Sequence, residues 1–142
     1  MPEIIVNYLA ILVGAIVNMA IGFIWYGPLF GKKWMELSKM DEKKMKQMGG
    51  ANPMQAYVVA FIGALLLVGV FAHTFVFVHA FFNGGRLMDA LQTAFWIWLG
   101  FIVPVGLNSV VFDSKPFKLF LLHTGYYLVT LLAVGAVIAM MP

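Results

Sequence analysis

Cysteine is absent from this chain of 142 residues. Its absence excludes disulfides, thiol catalysis and thiolate metal sites. Charge is also scarce, since acidic and basic residues make up 11% of the sequence, against about 25% in an average soluble domain. Hydrophobic residues reach 63%, and a soluble protein of that composition would expose patches that aggregate. The formal net charge of +3 is too small to indicate a nucleic-acid partner.

The few charged residues leave four long stretches without formal charge. These stretches contain 28 residues before Lys32, 39 before Arg86, 23 before Asp113 and 24 after Lys118. A helix needs about 20 apolar residues to cross the hydrocarbon core of a bilayer, so each stretch is long enough. We therefore predict one all-α membrane domain over residues 1–142, with transmembrane helices at about residues 4–27, 54–81, 88–112 and 117–140. The first stretch lacks a basic n-region, and we expect a permanent span rather than a cleaved signal.

Turn signals separate the predicted helices. Gly27-Pro28 is expected to end the first helix, and Asn52-Pro53 to begin the second. Asn83-Gly84-Gly85 follows the second helix, and Asp113-Ser114-Lys115-Pro116 closes the third. The four helices are thus predicted to form two hairpins, each with one connecting loop on the same side of the membrane.

The lysines predict the orientation. Loops one and three together hold eight lysines, whereas the second loop contributes only Arg86. Loops rich in Lys and Arg stay in the cytoplasm. We therefore expect loops one and three inside, both termini outside, and a location in the cytoplasmic (inner) cell membrane.

The first loop, residues 28–53, has a helical pattern of its own. Ser38 precedes two acids as an N-cap would, and Gly49-Gly50 follows as a C-cap. Three methionines (Met40, Met45, Met48) lie on one face of this short amphipathic helix. We expect the helix to lie on the inner surface of the membrane, anchored by Trp34, Lys43, Lys44 and Lys46. A soft-metal site made of these methionines is the alternative, but no His or Cys joins them.

Small residues predict how the helices pack. Ala10, Gly14, Asn18 and Gly22 recur every four residues on the first helix. Ala56, Ala60 and Ala64 repeat the spacing on the second helix, and Gly135 with Ala139 on the fourth. Such faces allow close backbone approach in lipid, so we interpret them as packing surfaces. Four helices leave little interior for a pore, and we expect a homo-oligomer.

Polar residues inside the spans concentrate toward the predicted cytoplasmic half. Amides are costly in hydrocarbon, so Asn18 and Asn108 are expected to face other helices or a wet cavity. The candidate ligand-binding residues are Asn18, Trp25, Tyr26, Asn108, His123 and Tyr126. Pro104 lacks the N–H that would bond the Gly100 carbonyl and is expected to bend the third helix beside Asn108. The alternative is that these polar groups only bond one helix to another.

Neither a metal site nor an active site is expected. His73 and His79 are six residues apart, or about 120° around a helix, and His123 lies in the opposite half of the membrane. This spacing does not form a three-histidine zinc site. The sequence also contains no nucleophile elbow, phosphate loop, HExxH or paired carboxylates. We expect no cofactor and no enzymatic activity; the remote alternative is a membrane enzyme that acts on lipids, with His123 as its base.

One segment resembles a known family. The segment is Asn18-x3-Gly22-x2-Trp25-Tyr26-Gly27-Pro28-Leu29-Phe30-Gly31-Lys32-x-Trp34. Later parts of the same pattern are Asn52-Pro53, Trp98-Leu99-Gly100-Phe101, Asn108 and His123-x-Gly125-Tyr126-Tyr127-Leu128. This pattern resembles the small prokaryotic membrane proteins grouped as domain of unknown function 1761. The resemblance implies a four-span membrane domain and supplies no activity.

Two functional hypotheses follow from the sequence. In the first, a homo-oligomer binds or passes a small neutral or amphipathic solute or lipid near its cytoplasmic face. The absence of buried charge favours such ligands over a coupled ion. In the second, the protein is structural or accessory: its polar residues only fix helix packing, and its basic loop docks a partner or an anionic lipid.

Overall fold

The structure is a computed structural model that describes residues 4–39 and 53–142. The regular elements in these ranges are all helical: α1 (Tyr8–Ile24), α2 (Gly31–Ser38), α3 (Pro53–Phe82), α4 (Arg86–Ile97), α5 (Val103–Phe112) and α6 (Phe117–Met140). Two π-helical turns, π1 (Trp25–Leu29) and π2 (Trp98–Ile102), follow α1 and α4. Four stretches are long and apolar enough to cross a membrane: Tyr8–Leu29, Met54–Phe82, Arg86–Phe112 and Phe117–Met140. The prediction of an all-α fold with four such helices is confirmed.

An asparagine cap sets where α1 begins. Asn7 accepts hydrogen bonds from the backbone N–H groups of Leu9 and Ala10 at 3.0 and 3.3 Å. Such a side-chain cap starts a helix, so α1 begins four residues later than hydropathy indicated. Helix α4 begins at Arg86, directly after the predicted glycine turn. Helices α3 and α6 begin within a residue of the predicted positions.

The first helix does not end at Gly27-Pro28, and that prediction is wrong. It continues through π1, which contains Pro28. A proline has no N–H to bond the carbonyl four residues back, and the widened turn instead bonds Phe30 N to Trp25 O at 2.9 Å. The backbone then turns into α2 at Gly31, where a Cβ would lie 2.7 Å from the Tyr26 carbonyl oxygen. Only glycine fits there.

Helix α2 was not predicted. Because Ser38 belongs to this helix, it does not have the predicted role of an N-cap. Ser38 is the last residue of α2, and its hydroxyl donates to the Trp34 carbonyl at 2.5 Å. Lys39 ends the helix in the left-handed conformation, at φ 56°. The remainder of the predicted amphipathic helix, with Lys43, Lys44, Lys46 and the methionines, lies outside the described residues.

Helix α6 is the centre of the bundle. It packs on α1, α4 and α5, while α3 packs on α1 and α4. Close approach is made at glycines: a Cβ on Gly14 would lie 2.7 Å from Val68 Cγ1, and one on Gly135 would lie 3.1 Å from the Ala90 carbonyl oxygen. In lipid this contact between backbones is a main source of helix association.

The predicted small faces agree with this packing in part. Ala10, Gly14 and Asn18 are buried on α1, and Gly135 and Ala139 are buried on α6. Of the three predicted alanines on α3, Ala64 is buried, whereas Ala56 and Ala60 are exposed. The prediction for Ala56 and Ala60 is wrong because residues 54–60 of α3 extend beyond the packed part of the bundle.

The two ends of the bundle differ. We call the end that carries residues 25–39 and 113–118 the lysine end, and the end that carries residues 4–7, 80–89 and 139–142 the termini end. The core lies in the half next to the termini end, and its largest fully buried side chains are Phe71, Phe75, Leu131, Val68, Val134 and Thr130. At the lysine end α3 is exposed, and this part of the bundle is open enough to contain a cavity.

Candidate functional site

A cavity of about 600 Å³ opens at the lysine end. Its walls come from π1, α2, α5, α6 and the loop before α6. The lining residues are Tyr26, Trp34, Gly106, Ser109, Lys115, Leu119, Phe120, His123, Thr124, Tyr126 and Tyr127. Aromatic side chains dominate this lining, and Lys115 is the only one of these residues with a full formal charge. The cavity can therefore surround an apolar group and offer it a few polar contacts.

Tyr26 and His123 form the polar centre of the cavity. The Tyr26 hydroxyl and His123 Nδ1 are 2.5 Å apart, and the tautomer of the imidazole decides which group donates. The two rings are 5.6 Å apart. Because π1 widens the helix at Tyr26, the phenol reaches across to α6. His123 Nε2 has no hydrogen-bond partner within the described ranges, so it is available to a ligand.

Asn18 and Tyr126 form a second polar pair behind the first. The Tyr126 hydroxyl donates to Asn18 Oδ1 at 2.9 Å, and Asn18 is only 6% exposed. The Tyr126 ring meets the Tyr26 ring edge to face at 5.2 Å. Gly22 leaves room for the hydroxyl, since a Cβ there would lie 3.3 Å from it. This pair joins α1 to α6 and supports the cavity wall.

Trp25 fixes π1 against α6. Its indole N–H donates to the Leu122 carbonyl at 3.2 Å, and its ring packs on Phe30 at 4.7 Å. The opposing position on α6 is Gly125, where a Cβ would lie 3.4 Å from the indole. Trp25 therefore holds Tyr26 in place, and it does not itself line the cavity.

Five of the six predicted site residues come together, and Asn108 does not. Asn108 is exposed on α5, while the next residue, Ser109, lines the cavity. One residue is about 100° of helix rotation, which explains why adjacent side chains have different environments. Pro104 is also exposed, and the regular α-helix is interrupted just before it, at π2.

Other lining residues were not in the predicted site. Trp34 was expected at the membrane surface, but it is half-buried in the cavity wall, with its ring 6.2 Å from that of Tyr26. Phe120, His123, Thr124 and Tyr127 follow the spacing i, i+3, i+4, i+7 on α6, and this periodicity could have identified the lining face. For Lys115, nothing in the sequence except its charge indicated a place in the cavity wall.

A second polar cluster lies at the termini end. Asp89 is 3% exposed, accepts from Gly84 N at 3.1 Å, and lies 2.6 Å from His79 Nδ1. The Arg86 side chain donates to the carbonyls of Ala139 and Ile138 at 2.9 and 3.2 Å. Arg86 was expected only as the single basic residue of the second loop, and no role was predicted for Asp89, yet together they join α3, α4 and α6. The expected absence of buried charge is wrong at Asp89.

The three histidines are separated in the fold. His73 is exposed and bonded to the Gly69 carbonyl of its own helix, His79 lies at the termini end, and His123 lies at the lysine end. Across residues 4–39 and 53–142, no three His, Asp or Glu side chains are close enough to hold a metal ion.

One family model matches most of the chain. The model of a family described as protein of unknown function (DUF1761) matches residues 9–139. The chain belongs to the DUF1761 family. The match covers the four apolar helices of this DUF1761 chain except for Tyr8 and Met140, and it confirms the resemblance found in the sequence. No curated protein and no solved structure matches the chain.

Proposed function

We propose that the lysine-end cavity binds one small neutral or amphipathic molecule, a solute or a lipid, and that this role involves no catalysis. The observation that supports the proposal is the cavity itself. Its volume of about 600 Å³ lies within the range of about 300–1,000 Å³ typical of ligand sites. Like those sites, it is mainly apolar and contains a small number of polar groups.

The lining indicates the chemistry of the ligand. Phe120, Leu119 and Trp34 offer apolar walls, while Ser109 and the free nitrogen of His123 offer hydrogen bonds. No carboxylate belongs to the lining set, which disfavours a metal ion or an organic cation. An uncharged polar group attached to an apolar body fits both kinds of wall.

Binding is favoured over passage through a single chain. Between the two ends of the bundle, the described core is filled by large buried side chains that include Phe71, Phe75 and Leu131. Protein cores are close-packed, so a solute would have to displace these side chains to cross. A bound molecule instead enters and leaves at the lysine end.

We also propose the arrangement in the membrane. The four helices form two hairpins in the cytoplasmic membrane, with both termini outside and the lysine end inside, so that the cavity faces the cytoplasm. A homo-oligomer is supported by α5, where the amide of Asn108 is exposed between apolar neighbours such as Val105 and Val111. An amide in hydrocarbon needs a partner, and a second copy of the chain supplies one.

Two residues of α5 provide a matched test of ligand binding. Ser109→Phe places a phenyl ring in the cavity, whereas Leu107→Phe adds the same ring at an exposed position outside it. The probe is a monoacylglycerol with a photoreactive diazirine in its acyl chain, crosslinked in membranes and mapped by mass spectrometry. We expect Ser109→Phe to reduce labelling near Trp34 by about tenfold, the change that corresponds to about 1.4 kcal/mol, and Leu107→Phe to leave it unchanged. Equal labelling of the two variants contradicts the proposed site.

The structural or accessory role is a second candidate, and one observation favours it. Most polar groups around the cavity already have partners in the chain: Asn18 with Tyr126, Trp25 with Leu122, and Trp98 with Thr124 at 2.7 Å. If the photoreactive probe labels no residue of the cavity, this candidate is preferred. Its docking loop, with Lys43, Lys44 and Lys46, lies outside the described residues and stays a prediction.

A further inference from the structure

A second cavity, of about 530 Å³, lies at the termini end. Its walls come from the segment before α1, the end of α3, the start of α4 and the end of α6. Ile5, Ala72, Phe77, Ile138 and Met141 are among its apolar lining residues, and Asn7, His79 and Arg86 are the polar ones. It is separate from the lysine-end cavity, with which it shares no lining residue.

Arg86 brings a permanent positive charge into this cavity. Its guanidinium donates to two main-chain carbonyls, those of Ala139 and Ile138, and its Cζ lies 5.2 Å from the centre of the Phe75 ring. These partners orient the side chain but are all neutral. Within residues 4–39 and 53–142, Arg86 forms no ion pair. No carboxylate of the described residues therefore contacts the guanidinium.

Asp89 is the nearest candidate acid in sequence, and it is already engaged. Its carboxylate accepts from Gly84 N and pairs with His79 Nδ1. Asp89 is not among the residues that line the cavity, whereas His79 and Arg86 are. Asn7 donates to the carbonyls of Met141 and Pro142, both at 3.3 Å. Among the side chains that line the cavity, Arg86 is thus the one with a permanent charge.

We propose that the termini-end cavity binds the acyl chain of an anionic lipid, with the lipid headgroup at Arg86. A guanidinium that contacts no carboxylate of its own chain can pair strongly with phosphate or carboxylate oxygens. Apolar walls next to that cation fit a hydrocarbon chain, and the cavity lies at the end of the membrane-spanning helices, where headgroups are found. Charge complementarity thus selects an acidic lipid over a zwitterionic one.

The test measures lipid retention by the whole protein in mixed micelles. Purified chain is incubated in dodecyl maltoside with dioleoyl phosphatidylglycerol or dioleoyl phosphatidylcholine at equal mole fraction, and bound lipid is counted by native mass spectrometry. We expect phosphatidylglycerol to be retained about tenfold more strongly. Both lipids have a phosphate that can accept from Arg86, but phosphatidylcholine also brings a choline cation that the guanidinium repels, whereas phosphatidylglycerol has a net negative charge. An excess of glycerol 3-phosphate is not expected to displace it, because the acyl chain contributes to binding.

Two variants remove the site in different ways. Arg86→Gln removes the charge, and Lys33→Gln is its control, because Lys33 is an exposed cation at the other end. Ala80→Phe fills the cavity but keeps Arg86, since Ala80 is exposed and lines the cavity. Its control is Ala60→Phe, an exposed alanine of the same helix outside the cavity. We expect Arg86→Gln and Ala80→Phe to abolish the lipid preference, and both controls to keep it.

Each contrary result overturns the proposal. Equal retention of the two lipids by the wild-type protein does so, and so does a preference that survives Ala80→Phe or Arg86→Gln. Displacement by glycerol 3-phosphate assigns the site to a free anion instead. Glu3 precedes the described residues, and a preference that appears only in Glu3→Gln assigns Arg86 to an ion pair within the chain. Because the lysine-end cavity is unaltered in Ala80→Phe, these outcomes are independent of the proposed function.

Discussion

Polar residues in the apolar helices of this chain connect pairs of elements. Asn18 with Tyr126 joins α1 to α6, Tyr26 with His123 joins π1 to α6, and His79 with Asp89 joins α3 to α4. A polar group left without a partner in hydrocarbon is costly, so each pair is more favourable formed than broken. These contacts determine which helix faces meet, and they place the two cavities.

The pair of Asn18 and Tyr126 gives a prediction about stability. We expect Asn18→Leu and Tyr126→Phe each to lower the free energy of unfolding, because each leaves the other group without its partner. The double variant is expected to lose about 0.6 kcal/mol less than the sum of the two, the typical strength of such a bond in a membrane protein. Unfolding in mixed dodecyl maltoside and SDS micelles measures all three.

A control cycle combines Tyr126→Phe with His73→Leu. His73 is exposed and bonded only within its own helix, so these two changes are expected to be additive. Additivity in the Asn18 cycle as well would show that the hydrogen bond contributes nothing to stability.

At the scale of elements, glycines and π-turns determine the approach of the helices. Gly14 lets α1 contact Val68 of α3, and Gly106 lets α5 contact Phe120 of α6, where a Cβ would lie 3.0 Å away. The π1 turn carries the chain through Pro28 and brings Trp25 and Tyr26 against α6. Small residues thus determine the distance between neighbouring helices, and the widened turn determines the direction of the chain after α1.

Gly14 and Gly63 provide a matched test of whether glycine allows the helices to approach closely. A Cβ on Gly14 would overlap Val68 Cγ1 at 2.7 Å, whereas a Cβ on Gly63 would meet no atom within 4 Å. We expect Gly14→Ala to lower the free energy of unfolding by about 1–3 kcal/mol, the usual cost of overpacking. Gly63→Ala is expected to be neutral or to stabilise by up to about 1 kcal/mol, because alanine favours the helix. Similar results for the two variants in micelle unfolding would contradict the packing.

At the scale of the whole molecule, two cavities lie at opposite ends of a bundle with a filled core. The lysine-end cavity has aromatic walls and a His–Tyr pair, whereas the termini-end cavity has an arginine and mainly aliphatic walls. If the lysines lie in the cytoplasm, the two cavities open to opposite leaflets of the membrane. The orientation of the chain in the membrane therefore decides to which leaflet each cavity opens, and so which leaflet supplies its ligand.

The absence of cysteine makes this orientation simple to measure. Any introduced cysteine is the only thiol of the chain. Lys33 is exposed at the lysine end, and Gly85 is exposed at the termini end, where a Cβ meets no atom within 4 Å. We expect an impermeant maleimide to label Gly85→Cys in intact cells, and Lys33→Cys only after permeabilisation. The reverse pattern would invert the proposed topology and move the lysine-end cavity to the outer face.

Much of the candidate site could be predicted from the sequence, for a physical reason. Asn18, Tyr26, His123 and Tyr126 are polar or aromatic residues within apolar runs, and such residues are retained where they find partners. The prediction failed where the rotation of a helix about its axis decides which residue faces the cavity. Asn108 and Ser109 are adjacent and both polar, yet only Ser109 faces the cavity. Likewise, no local pattern indicated that Asp89 would meet His79 across two helices.

The sequence by itself determined the number and length of the apolar helices and the asymmetry of charge between their ends. Each apolar segment has its own free energy of transfer from water to lipid, so these properties depend on the local sequence alone. Only the tertiary structure decided that π1 would continue past Pro28, that α2 would place Trp34 against Tyr26, and that Arg86 would face a cavity. Those outcomes depend on how helices rotate and approach one another, and that is set by contacts between residues far apart in the chain.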